Sequence, residues 1–272
     1  MGMTKKILIL TSGNVSKLEG FLDVDKASFS DIWFDSKTKD LKIKTKDLKT
    51  YKAIYFRMVG KSLEVATLVA DYARKNNIKI VDKVYADSKL LPVSLGKSLE
   101  LRRLIKACIP IPKTVFGRLD VLPFPFVVKS TTSSRAREVW KVENSDDLNK
   151  LRQEKFKIGK FYLAQELVPN SRRIRVLVIG DRAVGAIVRQ TKWNRDETKQ
   201  TLKPIPEDVA NLAIKSAKAV DLDICGVDIL VNSKTDEMFV IEANAAPSWK
   251  LINRYCGISV ENEIIKYIQK QI

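Results

Sequence analysis

Histidine is absent from all 272 residues, which removes Ser/His/Asp and Cys/His catalysis and every His-ligated metal site. Cysteine is scarce. Cys108, Cys225 and Cys256 stand far apart with no CxxC pair, so neither a disulfide framework nor a thiolate zinc site is expected, and a reducing compartment is the default. Long apolar runs are missing as well: ILIL after Lys5 and Lys6 is too short for a signal peptide, and nothing approaches the ~18 apolar residues of a membrane span. We expect a cytoplasmic protein with no membrane partner. Glycine and proline number only 11 and 9, beside 45% hydrophobic and 30% charged residues, which excludes a fibrous or mainly disordered chain. Chemistry is left to carboxylates, amides, lysines and arginines.

At roughly 100 to 200 residues per domain, the length allows one large domain or two to three small ones. Basic residues are in excess, 49 against 32 acidic, for a net charge of +17. An anionic partner follows as a first expectation, whether nucleotide phosphate, nucleic acid or an acidic protein. The excess is uneven, since residues 150–203 hold 14 basic and 5 acidic side chains. Lysine enrichment of a solvated surface accounts for much of the remainder.

The runs KKILIL and YKAIYFRM read as strands, SLEVATLVADYARKN as a helix and IKIVD as a further strand, so residues 1–95 form a doubly wound α/β domain. Residues 35–50 read as loop or edge strand. From Gly96 a helix of about ten residues ends before Pro110 and Pro112. PFVVK and EVWKV are strands around the polar loop TTSSRARE, and a helix capped at Asn144 or Ser145 follows. FYLAQELV is a strand, and RRIRVLVI and RAVGAIVR form a hairpin about Gly180-Asp181. Residues 191–204 read as loop. PEDVANLAIKSAKAV is an amphipathic helix with Pro206 near its start, ICGVDILVN and EMFVIEANA are paired strands, and VENEIIKYIQKQI closes the chain as a helix.

Glu242 and Asn244 are two apart on one strand and project from the same face. A loop over Ser233 to Glu237 sets Asp228 directly opposite Glu242, so three oxygen ligands share one face of one hairpin. Opposed carboxylates repel unless a cation lies between them, and this donor set suits Mg²⁺. The other reading of the same three residues is a polar solvent face. Lys129 closes the apolar strand PFVVK, where its ammonium either meets an anion or reaches solvent. The tripeptide GKS occurs at Gly60 and Gly96, but a Walker A loop needs glycine where Tyr55 and Leu91 stand. In the second hairpin, a strict two-residue turn puts Arg189 opposite Arg172 with Arg175 on the other face, and a one-residue slip reverses this.

In order, GKSLELRRL, IPIPKT, PFVVK, AQELV, RIRVLVIGDRAVGAIVR, GVDIL, VIEANAAP and CGISVENEIIKYI resemble the ATP-grasp superfamily, in particular its RimK-like glutamate and peptide ligases. The resemblance runs from about residue 96 to the C-terminus. It implies an N-terminal pre-ATP-grasp domain (1–95), a linker helix with a small ATP-grasp subdomain (96–164), and a C-terminal subdomain (165–272), the last two being α+β and clasping the nucleotide. It implies Lys97 and Lys129 on the ATP phosphates, Gln165, Glu166 and Leu167 at the adenine, and Asp228, Glu242 and Asn244 holding two Mg²⁺, with Mn²⁺ as a substitute. Arg189, with Arg175 as a second candidate, falls near the transferring phosphate or acyl phosphate. The implied activity is carbon–nitrogen ligation: a carboxylate is activated as an acyl phosphate and attacked by an amine, with no histidine required.

Three departures accompany the resemblance. Ser130 to Arg137 carries no glycine where the family has a glycine-bearing phosphate loop. Arg173-Ile174-Arg175 replaces the usual DIR, and Trp249 stands after the metal ligands in place of a small turn residue. The expected substrates are an amino-acid-like acid, a peptide or an acidic protein tail, plus an amine acceptor, in a chain that is often oligomeric in this family. A catalytically impaired scaffold that binds nucleotide or nucleic acid is the alternative.

Overall fold

The runs ILIL and AIYF are apolar at every position, which fits strands covered on both faces of a parallel sheet. The protein is described by a computed structural model over residues 6–13, 21, 23–34, 36–86, 96–131, 138–189 and 199–272. In it β1 (Ile7–Thr11) lies between β2 (Val24–Ser28) and β6 (Ala53–Met58), with β7 (Lys79–Val81) beyond, all parallel. Within residues 36–50, expected as loop or edge strand, β5 (Lys46–Asp47) is an edge strand, while β4 (Leu41–Ile43) is the central strand of an antiparallel meander whose other edge is β3 (Ile32–Phe34). Leu41 and Ile43 are buried while Lys42 between them is half-buried, a period-two signal too short to stand out among the lysines. Helix α1 (Leu63–Lys75) covers the parallel sheet through Ala66, Val69, Ala70 and Ala73. It follows a turn at Gly60, φ +56°, so the first GKSLE is a helix start. A single turn, α2 (Lys83–Ala86), follows β7.

Helix α3 (Lys97–Lys106) leads to a second sheet of β8 (Thr114–Phe116), β9 (Phe126–Ser130), β10 (Val139–Val142) and β11 (Tyr162–Glu166), in the order β10-β9-β11-β8 and antiparallel throughout. Helix α4 (Ser145–Lys155) is capped by Asn144, whose side chain accepts from Asp147 N at 2.9 Å. Phe126, Val128, Leu148, Leu151 and Tyr162 form the separate core of this part. The loop over 132–137 lies outside the described residues.

The third sheet is antiparallel, ordered β14-β13-β12-β15-β16, from β12 (Ser171–Ile179), β13 (Arg182–Arg189), β14 (Gln200–Thr201), β15 (Ile224–Asn232) and β16 (Met238–Asn244). β14 falls inside the stretch read as loop, whose residues 191–198 are outside the described ones. Helix α5 (Glu207–Ala219) packs on this sheet, and α6 (Lys250–Cys256) and α7 (Val260–Gln269) close the chain. Ile7, Ile9, Ala53 and Tyr55 of the parallel sheet share a core with Leu177, Ile179, Trp249, Ile264 and Ile268. Among the described residues no helix is long and apolar enough to cross a membrane, and the three cysteines are free.

Candidate active site

Two bulges decide which side chains meet. Next to Gly180-Asp181 the pairing is that of a strict two-residue turn, Ile179 with Arg182 and Val178 with Ala183. A shift past Val178 then pairs Leu177 with Gly185 and Arg173 with Arg189. Of the two registers left open for Arg189, the slipped one is observed, opposite Arg173 rather than Arg172: the extra residue, Val184, supplies the one-residue slip that a bulge makes. Arg173, Arg175 and Arg189 now share a face, and on the other side of β12 Arg175 lies opposite Asp228. In the β15–β16 hairpin Asp228 is opposite Glu242 and Gly226 opposite Asn244, as the spacing predicts, with a shift between Asp228 and Ile229.

Asp228 is fully buried, and both its oxygens are held. Arg175 donates from Nε to Oδ1 at 2.8 Å and from Nη2 to Oδ2 at 2.7 Å, and Arg173 Nη2 also donates to Oδ2. Burial alone would raise this carboxyl, but the Arg173 and Arg175 guanidinia hold it well below the usual carboxylate range. Burial, then Arg173 and Arg175, depress the neighbouring Arg189.

The lysines arrive from the other sheet. Lys129 on β9 donates to Gln165 Oε1, and Gln165 Nε2 donates to Thr114 Oγ1 at 2.9 Å. Lys97, at the start of α3, donates to Ser130 O at 3.3 Å. Burial, and next the Lys97 ammonium, lower Lys129 to about 8, while Glu242 raises it and Arg173 lowers it further. Lys129 therefore stands within electrostatic reach of Lys97, Glu242 and Arg173. Gln165 is buried, Glu166 projects to solvent, and Leu167 is half-buried just beyond β11.

Glu100 is a site residue that the sequence reading misses. It follows Lys97 by three on α3, hence on the same helix face, and its Oε1 accepts from Ala243 N at 2.6 Å, between Glu242 and Asn244. Burial raises its carboxyl to about 8 against that backbone bond, with Glu242 adding to the rise. A carboxylate at the apolar boundary of an amphipathic helix was the available signal.

Whether the oxygen set can take a hard cation depends on its free lone pairs. Among the described residues Glu242 accepts one weak bond, from Asn244 Nδ2 at 3.4 Å, and Asn244 Oδ1 accepts from Ala246 N at 2.8 Å. Three of Asp228's four lone-pair positions are taken by guanidinium N–H groups, which leaves one on Oδ1. Glu242 and Asn244 fit Mg²⁺ freely, and Asp228 fits through a single lone pair in competition with Arg173 and Arg175. No third Asp, Glu or Cys joins the two carboxylates among the described residues.

The family model of the RimK-like ATP-grasp domain matches residues 103–268. The chain is 25% identical over 242 residues to a probable alpha-L-glutamate ligase of Mannheimia succiniciproducens, covering 83% of this chain and 79% of that one. It is 31% identical over 179 residues to beta-citrylglutamate synthase B of Homo sapiens, covering 58% of this chain and 46% of the human protein. Its fold is like that of the ATP-grasp ligase PsnB complexed with a phosphomimetic variant of minimal precursor, Mg and ADP, at TM-score 0.72 and 15% identity over 98% of both chains. An ATP-grasp RimK domain protein from Sphaerobacter thermophilus gives TM-score 0.67 and 16% identity, covering 96% of this chain and 98% of that one. With the family model spanning more than half of the chain, the protein belongs to the RimK-like ATP-grasp family.

Proposed function

We propose that this ligase couples ATP cleavage to amide formation between a carboxylate and an amine, on an amino-acid-like or peptide substrate. The observation that carries the reading is that Lys129, with Lys97 beside it, stands within electrostatic reach of Glu242 in the Asp228–Glu242–Asn244 hairpin, which Glu100 of α3 bonds at Ala243 N and three arginines flank. A solvent face has no reason to bury Asp228 completely, and a scaffold freed from catalysis has none to gather these charges. The chain divides near residues 96 and 165, and ATP enters between the β10-β9-β11-β8 sheet and the β14-β13-β12-β15-β16 sheet. Lys97 and Lys129 bind its phosphates, Gln165 fixes Lys129, and the segment Gln165-Glu166-Leu167 borders the base.

The substrate carboxylate oxygen attacks the γ-phosphorus, ADP leaves, and an acyl phosphate forms. The amine nitrogen then attacks the acyl carbon, inorganic phosphate leaves, and the amine proton passes to solvent. Arg175 and Arg189 hold the anionic intermediate, and the lysines neutralise charge on the departing ADP oxygens. Mg²⁺, on Glu242 and Asn244 with the open lone pair of Asp228, supplies Lewis-acid neutralisation of the phosphates when bound. The PsnB structures contain a precursor peptide, and the basic stretch 150–203 suits an acidic partner of that kind. The test is ADP release from ATP with a panel of carboxylates and hydroxylamine as trapping amine. Acid-dependent hydroxamate, lost in Glu242→Gln and Lys129→Ala, is the expected result; no acid in the panel raising ADP release above background refutes it.

A further inference from the structure

The N-terminal parallel sheet presents a second polar site that faces the turn beyond Asn244. Its order, β2-β1-β6-β7, means that the chain leaves β1 to one side and returns to β6 on the other, and such a reversal opens a crevice at the carboxyl ends of the two strands. The loops there touch: a Cβ on Gly13 would lie 2.3 Å from Met58 Cε, and one on Gly60 would lie 2.5 Å from Ser12 Oγ. Arg57, next to last on β6, sits at this edge.

Its guanidinium stacks on Trp249, 3.9 Å from the ring centroid, and Nη2 donates to Pro247 O at 2.7 Å. Trp249 is itself fixed, 5% exposed, with Nε1 donating to Glu261 Oε1 at 2.6 Å. Pro247 packs on Gly226, where a Cβ would lie 2.8 Å from Pro247 Cβ, and Gly226 pairs with Asn244. Arg57 is therefore pinned to the turn that follows the hairpin oxygens. Buried Asp82 stands within electrostatic reach of it, yet no carboxylate among the described residues lies within hydrogen-bonding distance of it. Among the described residues Nη1 is shielded from water with no acceptor, and two more buried polar atoms without a partner stand within electrostatic reach of Arg57: Tyr55 Oη, two residues back on the same strand face, and Asp82 Oδ2, just past β7. A guanidinium held by an aromatic face and one neutral carbonyl is a donor whose anion is missing.

We infer that Arg57, stacked on Trp249, binds a carboxylate of the substrate that does not react. The inference rests on the ligase reading, because the reacting carboxylate belongs at the arginine and lysine cluster and a second one needs its own anchor. The anchored group is either the α-carboxylate of an amino-acid acceptor or the spare carboxylate of a dicarboxylic donor.

Calorimetry with L-glutamate, its α-amide and its γ-amide, in the presence of Mg²⁺ and ADP, tests the site without turnover. Wild type is expected to bind L-glutamate and to lose about 10- to 100-fold in affinity when the anchoring carboxylate becomes an amide. The α-amide losing affinity assigns the α-carboxylate, and the γ-amide losing it assigns the side-chain one. Arg57→Met should bind L-glutamate and that amide equally, and Arg57→Lys should recover part of the difference. Equal binding of L-glutamate by wild type and Arg57→Met overturns the inference, as does a wild type that binds none of the three probes. Acid-dependent hydroxamate formation would survive either outcome, so failure of the subsite is distinguishable from failure of the ligase reading.

Discussion

Replacing Arg173 with alanine separates two effects of one guanidinium that have opposite signs. Asp228 is fully buried, and Arg173 supplies one of its three N–H bonds while itself 22% exposed. A hydrogen bond to a charged group contributes about 1.5–3 kcal/mol, and partial exposure of the donor puts the loss nearer 1–2 kcal/mol. At roughly 2–4 °C per kcal/mol for a chain of this size, the melting temperature should fall by about 2–8 °C. Arg175 keeps its two bonds, so the carboxylate stays paired and the variant folds.

The same substitution should tighten metal binding. A guanidinium and a cation that share a carboxylate stand about 4 Å apart and repel by about 4 kcal/mol per unit charge at an effective dielectric of 20. Even a quarter of that is about 1 kcal/mol, or roughly fivefold in affinity. Mn²⁺ titrated into nucleotide-free protein, read by electron paramagnetic resonance beside a melting curve, checks both signs. A variant that melts lower but binds Mn²⁺ no tighter would make the clamp purely structural and remove Asp228 from the metal set.

Two further outcomes follow from buried carboxyls. Asp82 accepts from Asp223 N and Ile224 N at 2.8 and 2.9 Å, and burial pushes its carboxyl up to about 8 against those bonds, with Asp223 raising it and Arg57 lowering it. The folded protein thus holds a proton that the unfolded chain releases near pH 4, so this stabilisation is complete below about pH 4 and gone by about pH 8. Asp82→Asn, which keeps the acceptor, should flatten the fall in melting temperature between pH 5 and 8; an unchanged slope would place the titration elsewhere. Glu100→Ala leaves Ala243 N without its partner and should cost about 1–3 kcal/mol, with weaker Mg²⁺-dependent nucleotide binding by calorimetry, whereas Glu100→Gln should restore both. Equal loss in the two variants would mean that the charge of Glu100, rather than its acceptor, sets the strand.

How much of this was legible depends on where the bulges fall. An assumed loop over Ser233 to Glu237 put Asp228 opposite Glu242, and that pair is observed. Nearer the turn, however, Val231 pairs with Met238 and Leu230 with Phe239, one residue off the assumed register, and the extra residue Ile241 restores it before Asp228. In the other hairpin the turn was read correctly and the bulge at Val184 then displaced everything beyond it, including Arg189. Apolar alternation shows which residues are strand. It carries no mark for a single unpaired residue, because Val184 and Ile241 are themselves good strand formers.

That single residue has a consequence for the whole cleft. Without the slip at Val184, Arg189 would be opposite Arg172, away from Arg175. With it, Arg173, Arg175 and Arg189 share a face with Asp228 and Glu242, Lys129 stands within electrostatic reach of Lys97, Glu242 and Arg173, and burial raises the Glu100 carboxyl to about 8. Such an excess of cations over carboxylates is unstable by itself and suits a polyanion, which is what the triphosphate of ATP provides. The basic excess of the composition was plain from the start, but it pointed equally to nucleic acid. What favours a nucleotide is its concentration by two β-bulges on one buried carboxylate, and Arg173, where an acid was expected, is the residue through which that concentration can be reversed and measured.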